Sequence, residues 1–290
     1  MEFPTFTNYS DTPIQIPPNL AWVDPWQGEV DSANLLATIV GDDPIADLVI
    51  ARLPVNTETE ALNYLSKLKV FDQTKPVTWH NTHLFIADNP DEAGNFYEYS
   101  NNVINTYVNP TPGMLAERIF LEGNPGEINQ EIVDFLNNQG SQIVNYIGHG
   151  RINGWAAENI FQTTDVGRLN NQYWTPVLVS MTCLDGYWIH PNQSSLIEEL
   201  IRSEFGAVAA FSPTGLGVST GHDILHKAFY NALLIDRVQT LGLAVEAAKS
   251  ALFEAKSDYD LLHTYTIFGD PSIRFNFDRT IYLPGILKGR

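Results

Sequence analysis

Two short segments place a reactive side chain beside glycine directly after an apolar run. They are Tyr146-Ile-Gly-His149-Gly150 and Met181-Thr-Cys183-Leu-Asp185-Gly186. Cys183 is the single cysteine of the chain, so it has no disulfide partner within it. A thiolate is a strong nucleophile, and an imidazole beside it can take the thiol proton and later return it to a leaving amine. Gly150 lets backbone and substrate approach closely, since it lacks a Cβ. Its N–H and that of Cys183 are candidate donors to a developing oxyanion. Singly, each residue has an ordinary explanation: a lone Cys after a strand is a small buried hydrophobe, and a His between glycines is a turn residue. Together, at the ends of two apolar runs, they leave two readings level: a nucleophile with its base, and two scaffold residues.

Other constellations compete with that pair. His222-Asp223-Ile-Leu-His226 imitates the H-E-x-x-H helix of zinc peptidases. The base would then be Asp, one methylene shorter than Glu, and His263 is the one option for a third ligand. Packing histidines on an amphipathic helix describe that pair better. Trp155 and Trp188 flank the two glycine-bracketed segments and are candidate walls of a substrate cleft, with core packing the ordinary alternative. Asp42-Asp43 is a short acidic run that a Ca²⁺ site would need to extend with oxygens from other loops. Gly215-Leu-Gly217 is too short for a dinucleotide fingerprint.

The elements that must position these residues read as α/β. Apolar runs at 47–53, 83–88, 114–121, 142–147, 176–181 and 207–211 predict strands. Helical spacing covers 57–68, 95–108, 127–138, 195–203, 221–235 and 241–255, with Thr57…Glu60 and Ser195…Glu198 as capping boxes and Gly140 as a terminator. Residues 1–46, rich in Pro, Asp and Asn, read as extended chain wrapped on a core. Strands alternating with helices predict a mainly parallel sheet covered on both faces, whose reactive groups collect beyond the carboxyl ends of its strands. His149 and Cys183 emerge side by side if their strands are parallel neighbours, and the 34 positions between them suffice for a right-handed crossover.

Composition narrows the partners. The chain has 290 residues, 44% of them hydrophobic, and a formal charge of −18. It is too apolar for intrinsic disorder, lacks an 18-residue apolar run that would span a bilayer, and repels phosphate backbones, which argues against nucleic acid. Met1-Glu2-Phe3-Pro4 begins neither a signal nor a transit peptide.

The two segments, with Trp155 between them, resemble the gingipain-type cysteine peptidase family (peptidase family C25) of the caspase-like clan. Gly206-Ala-Val-Ala-Ala210 with Thr214-Gly215, Thr266-Ile-Phe-Gly-Asp-Pro-Ser272 and Ile50-Ala-Arg-Leu-Pro-Val55 are similar to further stretches of that family, with Ala51 in place of a glycine. Their order runs from about Asp24 to Phe277. The resemblance implies a three-layer caspase-like sandwich preceded by a partial α/β subdomain. The first unit would be residues 1–76, with Lys75-Pro76 near the junction and further strands expected upstream; 77–278 would be the peptidase unit and 279–290 a tail. It implies a cysteine endopeptidase acting on peptide or protein substrates, with Cys183 as nucleophile and His149 as general base and acid. No cofactor is needed for that chemistry, structural Ca²⁺ is an option, and secretion or cell-surface display is expected. A carboxylate after the strand ending at Asp88 would orient the histidine, so Asp88 is the candidate. The acid of an S1 pocket matches around Asn95, where Asp91 or Glu92 can substitute, giving an expectation of basic P1 residues. Thr214 falls where the family builds part of its S1 wall. A caspase-like module that binds without catalysis is the competing reading.

Overall fold

The computed structural model describes residues 16–74 and 77–277. The start of the chain and Lys75-Pro76, the expected junction, lie outside the described residues. The chain opens on a hairpin, β1 (Leu20–Asp24) and β2 (Gly28–Asp31), then a short helix α1 (Asn34–Ala37), β3 (Ala51–Arg52), α2 (Glu58–Gln73), β4 (Thr82–Ala87) and α3 (Phe96–Val103). Next come β5 (Leu115–Phe120), α4 (Pro125–Asn138), β6 (Ile143–Ile147), β7 (Gly150–Arg151), β8 (Gly154–Trp155), β9 (Phe161–Gln162), α5 (Thr163–Val166) and β10 (Val177–Met181). The chain continues through α6 (Leu196–Arg202), β11 (Ala209–Pro213), α7 (Ser219–Tyr230), α8 (Leu241–Ala255), α9 (Asp260–Thr264) and β12 (Tyr265–Gly269).

A central sheet runs in the order β3-β12-β11-β10-β6-β4-β5. Its pairs are parallel except β11 with β12. Alternation along each strand divides the core into two layers. From β6 and β10, Ile143, Ile147, Val177, Val179 and Met181 pack with residues of α3, α7 and α8. Val144, Tyr146 and Leu178 of the same strands face the opposite way, against α2, α4 and α6. This is the α/β sandwich expected from the alternation of elements. Both capping boxes close as read: the Thr57 and Ser195 side chains accept the amides of Glu60 and Glu198, whose carboxylates return to the cap amides.

Two readings need correction. The run 47–53 forms only the two-residue β3, at the sheet edge, with Leu48 57% exposed. The wrapped extended chain of the first residues contains the β1–β2 hairpin, which contacts α9 and the loops near Cys183. Among the described residues no helix is long and apolar enough to cross a membrane.

The order of strands reverses at β4, since β5 lies on one side of it and β6 on the other. Crevices outside the carboxyl ends of strands form at such reversals. Asp88 follows β4 there, and His149 follows β6.

Candidate active site

Ile147 of β6 pairs with Met181 of β10 in parallel register. His149 and Cys183 each stand two residues beyond that pair, so the two tips leave the sheet level with one another. The tips also touch. Gly148 N–H donates to Met181 O at 3.3 Å, and Thr182 Oγ1 donates to Gly148 O at 2.8 Å. Gly150 lies so close to the second tip that a Cβ there would fall 2.3 Å from Thr182 Oγ1 and 2.5 Å from Cys183 O. Gly148 is equally constrained, with a Cβ position 2.2 Å from Asp88 Cβ. The glycines flanking His149 are therefore a packing requirement of adjacent tips.

The main chain of His149 is clamped at both polar groups. Its N–H donates to Asp88 Oδ2 at 3.0 Å, and its carbonyl accepts from Tyr146 Oη at 2.6 Å and from Ala156 N–H at 2.8 Å. The imidazole is 49% exposed and makes a different contact: Nε2 meets Asp91 Oδ2 at 2.7 Å. Its ring packs edge-on to Phe96, centroids 5.5 Å apart. The expectation that Asp88 orients the imidazole is corrected here. Asp88, one residue after β4, is buried and reaches only the backbone amide; Asp91, three positions further along the turn, reaches the ring. Burial opposes ionisation of Asp91, but the bond to His149 and those from Ala93 and Gly94 outweigh it and hold the carboxyl below its ordinary range. At Asp88 burial prevails over its hydrogen bonds from His149 and Asn89, and its pKa is raised.

The second tip is packed more tightly. Cys183 Sγ donates to Gly217 O at 3.5 Å. Burial pushes the thiol up to about 11, and the nearby carboxylates of Asp185 and Asp24 add to the rise. The next residue, Leu184, is left-handed at φ 63°, a conformation that costs a β-carbon residue about 1–2 kcal/mol. Bonds from Leu184 N–H to Gly215 O and from Gly186 N–H to Pro213 O hold that bend. Beneath it, buried Asp185 accepts Trp155 Nε1 at 2.9 Å and Ser212 Oγ at 2.5 Å, and burial raises its pKa to about 6. No hydrogen bond from the Cys183 amide is found among the described residues. The Ala156-to-His149 bond makes Gly150 and Trp155 a non-hydrogen-bonded antiparallel pair, which leaves the Gly150 N–H outside the ladder.

Several expected pocket residues serve the scaffold. Trp155 is 1% exposed and stacked on Tyr146, so it supports the tips from below and does not wall a cleft. Thr214 is buried, with its hydroxyl on the carbonyls of Asp31 and Thr264. Asn95 caps α3 by accepting Glu98 N–H. Trp188 is half-buried; it donates to Asp31 Oδ2 at 2.9 Å and lies under the Arg52 guanidinium, 4.0 Å from its ring centre. Asp91 is committed to His149, which leaves Glu92 as the exposed carboxylate of that loop without such a contact.

The rival histidines are buried in the core. His222 packs against Tyr265, and His226 against Phe85 and Tyr230. Burial drops both to about 3. Among the described residues no group of three or more His, Cys, Asp or Glu is arranged to hold a metal. Asp42 and Asp43 are exposed, and Asp43 accepts the Ile45 amide.

Sequence reasoning missed Asp24, Asp185 and Leu184. Asp185 stood inside a recognised segment, but nothing local revealed that it bridges Trp155 and Ser212. The Asp24-Pro-Trp-Gln-Gly28 turn was the available signal for the hairpin.

Known proteins share this fold. Gingipain R2 of Porphyromonas gingivalis is 24% identical over 284 residues, covering 92% of this chain and 36% of that protein. Gingipain R1 of the same organism is 24% identical over 92% of this chain and 27% of its own length. The chain thus spans between 16% and 36% of the length of these curated relatives. A crystal structure of the Arg-specific cysteine proteinase gingipain R superposes with a TM-score of 0.75 at 22% identity, over 84% of this chain and 59% of that one. A separase in complex with securin from Saccharomyces cerevisiae shares the fold more distantly, with a TM-score of 0.51 at 14% identity over 77% of this chain and 14% of the other. The family model for peptidase family C25 matches residues 5–276, and the chain belongs to that family.

Proposed function

We propose that this protein is a cysteine endopeptidase in which Cys183 attacks the scissile carbonyl and His149 moves the proton. The observation that carries the reading is the level emergence of the two residues beyond the paired Ile147 and Met181. Family membership supports it.

The bond to Asp91 supports one tautomer. A carboxylate accepts, so Nε2 carries the hydrogen and the lone pair of the neutral ring is on Nδ1. Nδ1 is then the base. Burial keeps the resting thiol protonated, so its proton moves to Nδ1 as Sγ bonds to the carbonyl carbon. The amides of Gly150 and Cys183 receive the oxyanion. The imidazolium, stabilised by Asp91, protonates the leaving nitrogen as the C–N bond breaks, giving a thioester. Water then loses a proton to Nδ1, attacks the thioester and releases the acid and the thiol.

A basic P1 residue is part of the proposal, with Glu92 as the carboxylate left to meet it and the charge of −18 favouring cationic peptides. Secretion or surface display also remains an inference from the family. Turnover of a positional peptide library tests activity and P1 preference together. Cys183→Ala should lower turnover at least about 10³-fold while the melting temperature stays within a few degrees, since a methyl fits where the thiol was. Wild-type turnover in that variant contradicts the mechanism.

A further inference from the structure

The carbonyl that accepts the Cys183 thiol belongs to a loop without regular structure, between β11 and α7. Gly215 O takes the Leu184 amide at 3.0 Å, and Gly217 O takes the thiol at 3.5 Å. The residue between them, Leu216, donates its N–H to Asp24 Oδ2 at 2.7 Å, across 192 positions of sequence. Asp24 is 1% exposed. Its Oδ1 accepts the amides of Trp26 and Gln27, at 2.8 and 2.9 Å, which closes the turn of the β1–β2 hairpin. One buried carboxylate therefore ties the hairpin turn to the loop that holds the thiol.

Close packing enforces the tie. A Cβ on Gly215 would fall 2.6 Å from Asp24 Oδ2, and one on Gly217 would fall 2.6 Å from His222 Nε2. The loop is gripped between Asp24 and the first turns of α7. Without the tie, the Leu216 amide loses a charge-assisted bond, and Gly217 O loses its fixed place opposite Sγ. Productive attack needs the sulfur held within a few tenths of an ångström of its trajectory.

We propose that Asp24 is a positioning residue for the nucleophile: through Leu216 it fixes the Gly215–Gly217 loop, and through Gly217 O it fixes the Cys183 side chain. The proposal rests on the reading of Cys183 as nucleophile. It gives the N-terminal hairpin a role in the reaction without contact to substrate.

The titratable groups around the thiol are Asp24, Asp185 below it, the Tyr265 hydroxyl on Thr182, His222 behind Gly217 and His149 on the neighbouring tip. Asp24→Asn keeps the size but turns one of the two accepting oxygens into an N–H₂, so at least one of the three amides that Asp24 accepts loses its partner, and it removes one negative charge. Leu216→Pro deletes the amide and leaves the carboxylate, whereas Leu216→Ala keeps the amide. In Asp24→Asn and Leu216→Pro, kcat should fall about tenfold or more with KM changed less than about threefold. Leu216→Ala should match wild type. The pH midpoint of Cys183 alkylation by iodoacetamide should move down in Asp24→Asn, where the repelling charge is gone, and should not move down with Leu216→Pro. Unchanged kcat in a folded Asp24→Asn or Leu216→Pro protein overturns the proposal, and so does a lowered melting temperature with unchanged kcat. A wild type without peptidase activity would refute the proposed function; the alkylation profile still decides the Asp24 link, and an unmoved midpoint in Asp24→Asn overturns it.

Discussion

The two tips that meet at the candidate site are built on opposite plans. At the His149 tip the main chain is locked by Asp88 and Tyr146, while the ring is half in solvent and paired with exposed Asp91. At the Cys183 tip the side chain is packed against a loop carbonyl, the following residue is left-handed, and a buried carboxylate lies two residues on. The difference separates two requirements. A proton carrier must titrate and so benefits from water and a nearby carboxylate. A nucleophile must be aimed, and in the proposed reaction the packing that would aim Cys183 also raises its pKa. The two tips are thus asymmetric: a buried, neutral thiol on one and an exposed imidazole paired with Asp91 on the other.

Breaking the imidazole tip should give the largest effect. His149→Ala removes base and acid together, and kcat should fall about 10²–10⁴-fold with little change in melting temperature, because the ring is half exposed. Turnover within a fewfold of wild type would show that another base serves Cys183. Asp91→Asn tests the partner: a loss of about tenfold in kcat and an unchanged melting temperature are expected, since exposed pairs add little stability. Asp88→Ala should do the reverse in stability. It leaves the amides of His149 and Asn89 without their acceptor, for a loss of about 1–3 kcal/mol in denaturant unfolding. Equal stability losses in the Asp91 and Asp88 variants would erase the distinction between ring partner and backbone anchor.

The smallest effect at neutral pH contrasts exposed His149 with the buried histidines. His83, His222 and His226 are each lowered to about 3 by burial. Below about pH 6.5 the unfolded chain binds protons that the folded chain refuses until about pH 3, so these residues withdraw stability as pH falls through that window. His226→Leu should therefore match wild type near neutrality and grow relatively more stable from pH 6 to pH 4. Parallel curves for the two proteins over that range would mean that His226 is not held neutral.

The tips were legible in the sequence because their chemistry is local: glycine, a reactive side chain and an apolar strand before each. The parallel pairing followed from the 34-position spacing and the alternation of elements. Asp88 and Asp91 cannot be told apart from sequence, because three residues within one turn give no periodicity to say which carboxylate faces the ring. The run 47–53 predicts a strand as readily as the central runs do, since an edge strand and a central strand can share one apolar composition; Leu48 and Val49 are in fact exposed. Trp155 and Thr214 sit beside the motif residues in sequence, yet their side chains go to the core, a matter of strand alternation beyond the tip. The hairpin carrying Asp24 was missed because its value comes from one contact 192 positions away, which no local pattern encodes.

The proposed reaction requires that His149 serve Cys183. Its most direct test is intact and peptide-level mass analysis after incubation with a peptidyl acyloxymethyl ketone, which alkylates a thiol that attacks it as it would a substrate. One adduct is expected, on Cys183, formed at least about a hundredfold more slowly in His149→Ala. An adduct on any other residue, or equal rates in the two proteins, would contradict it.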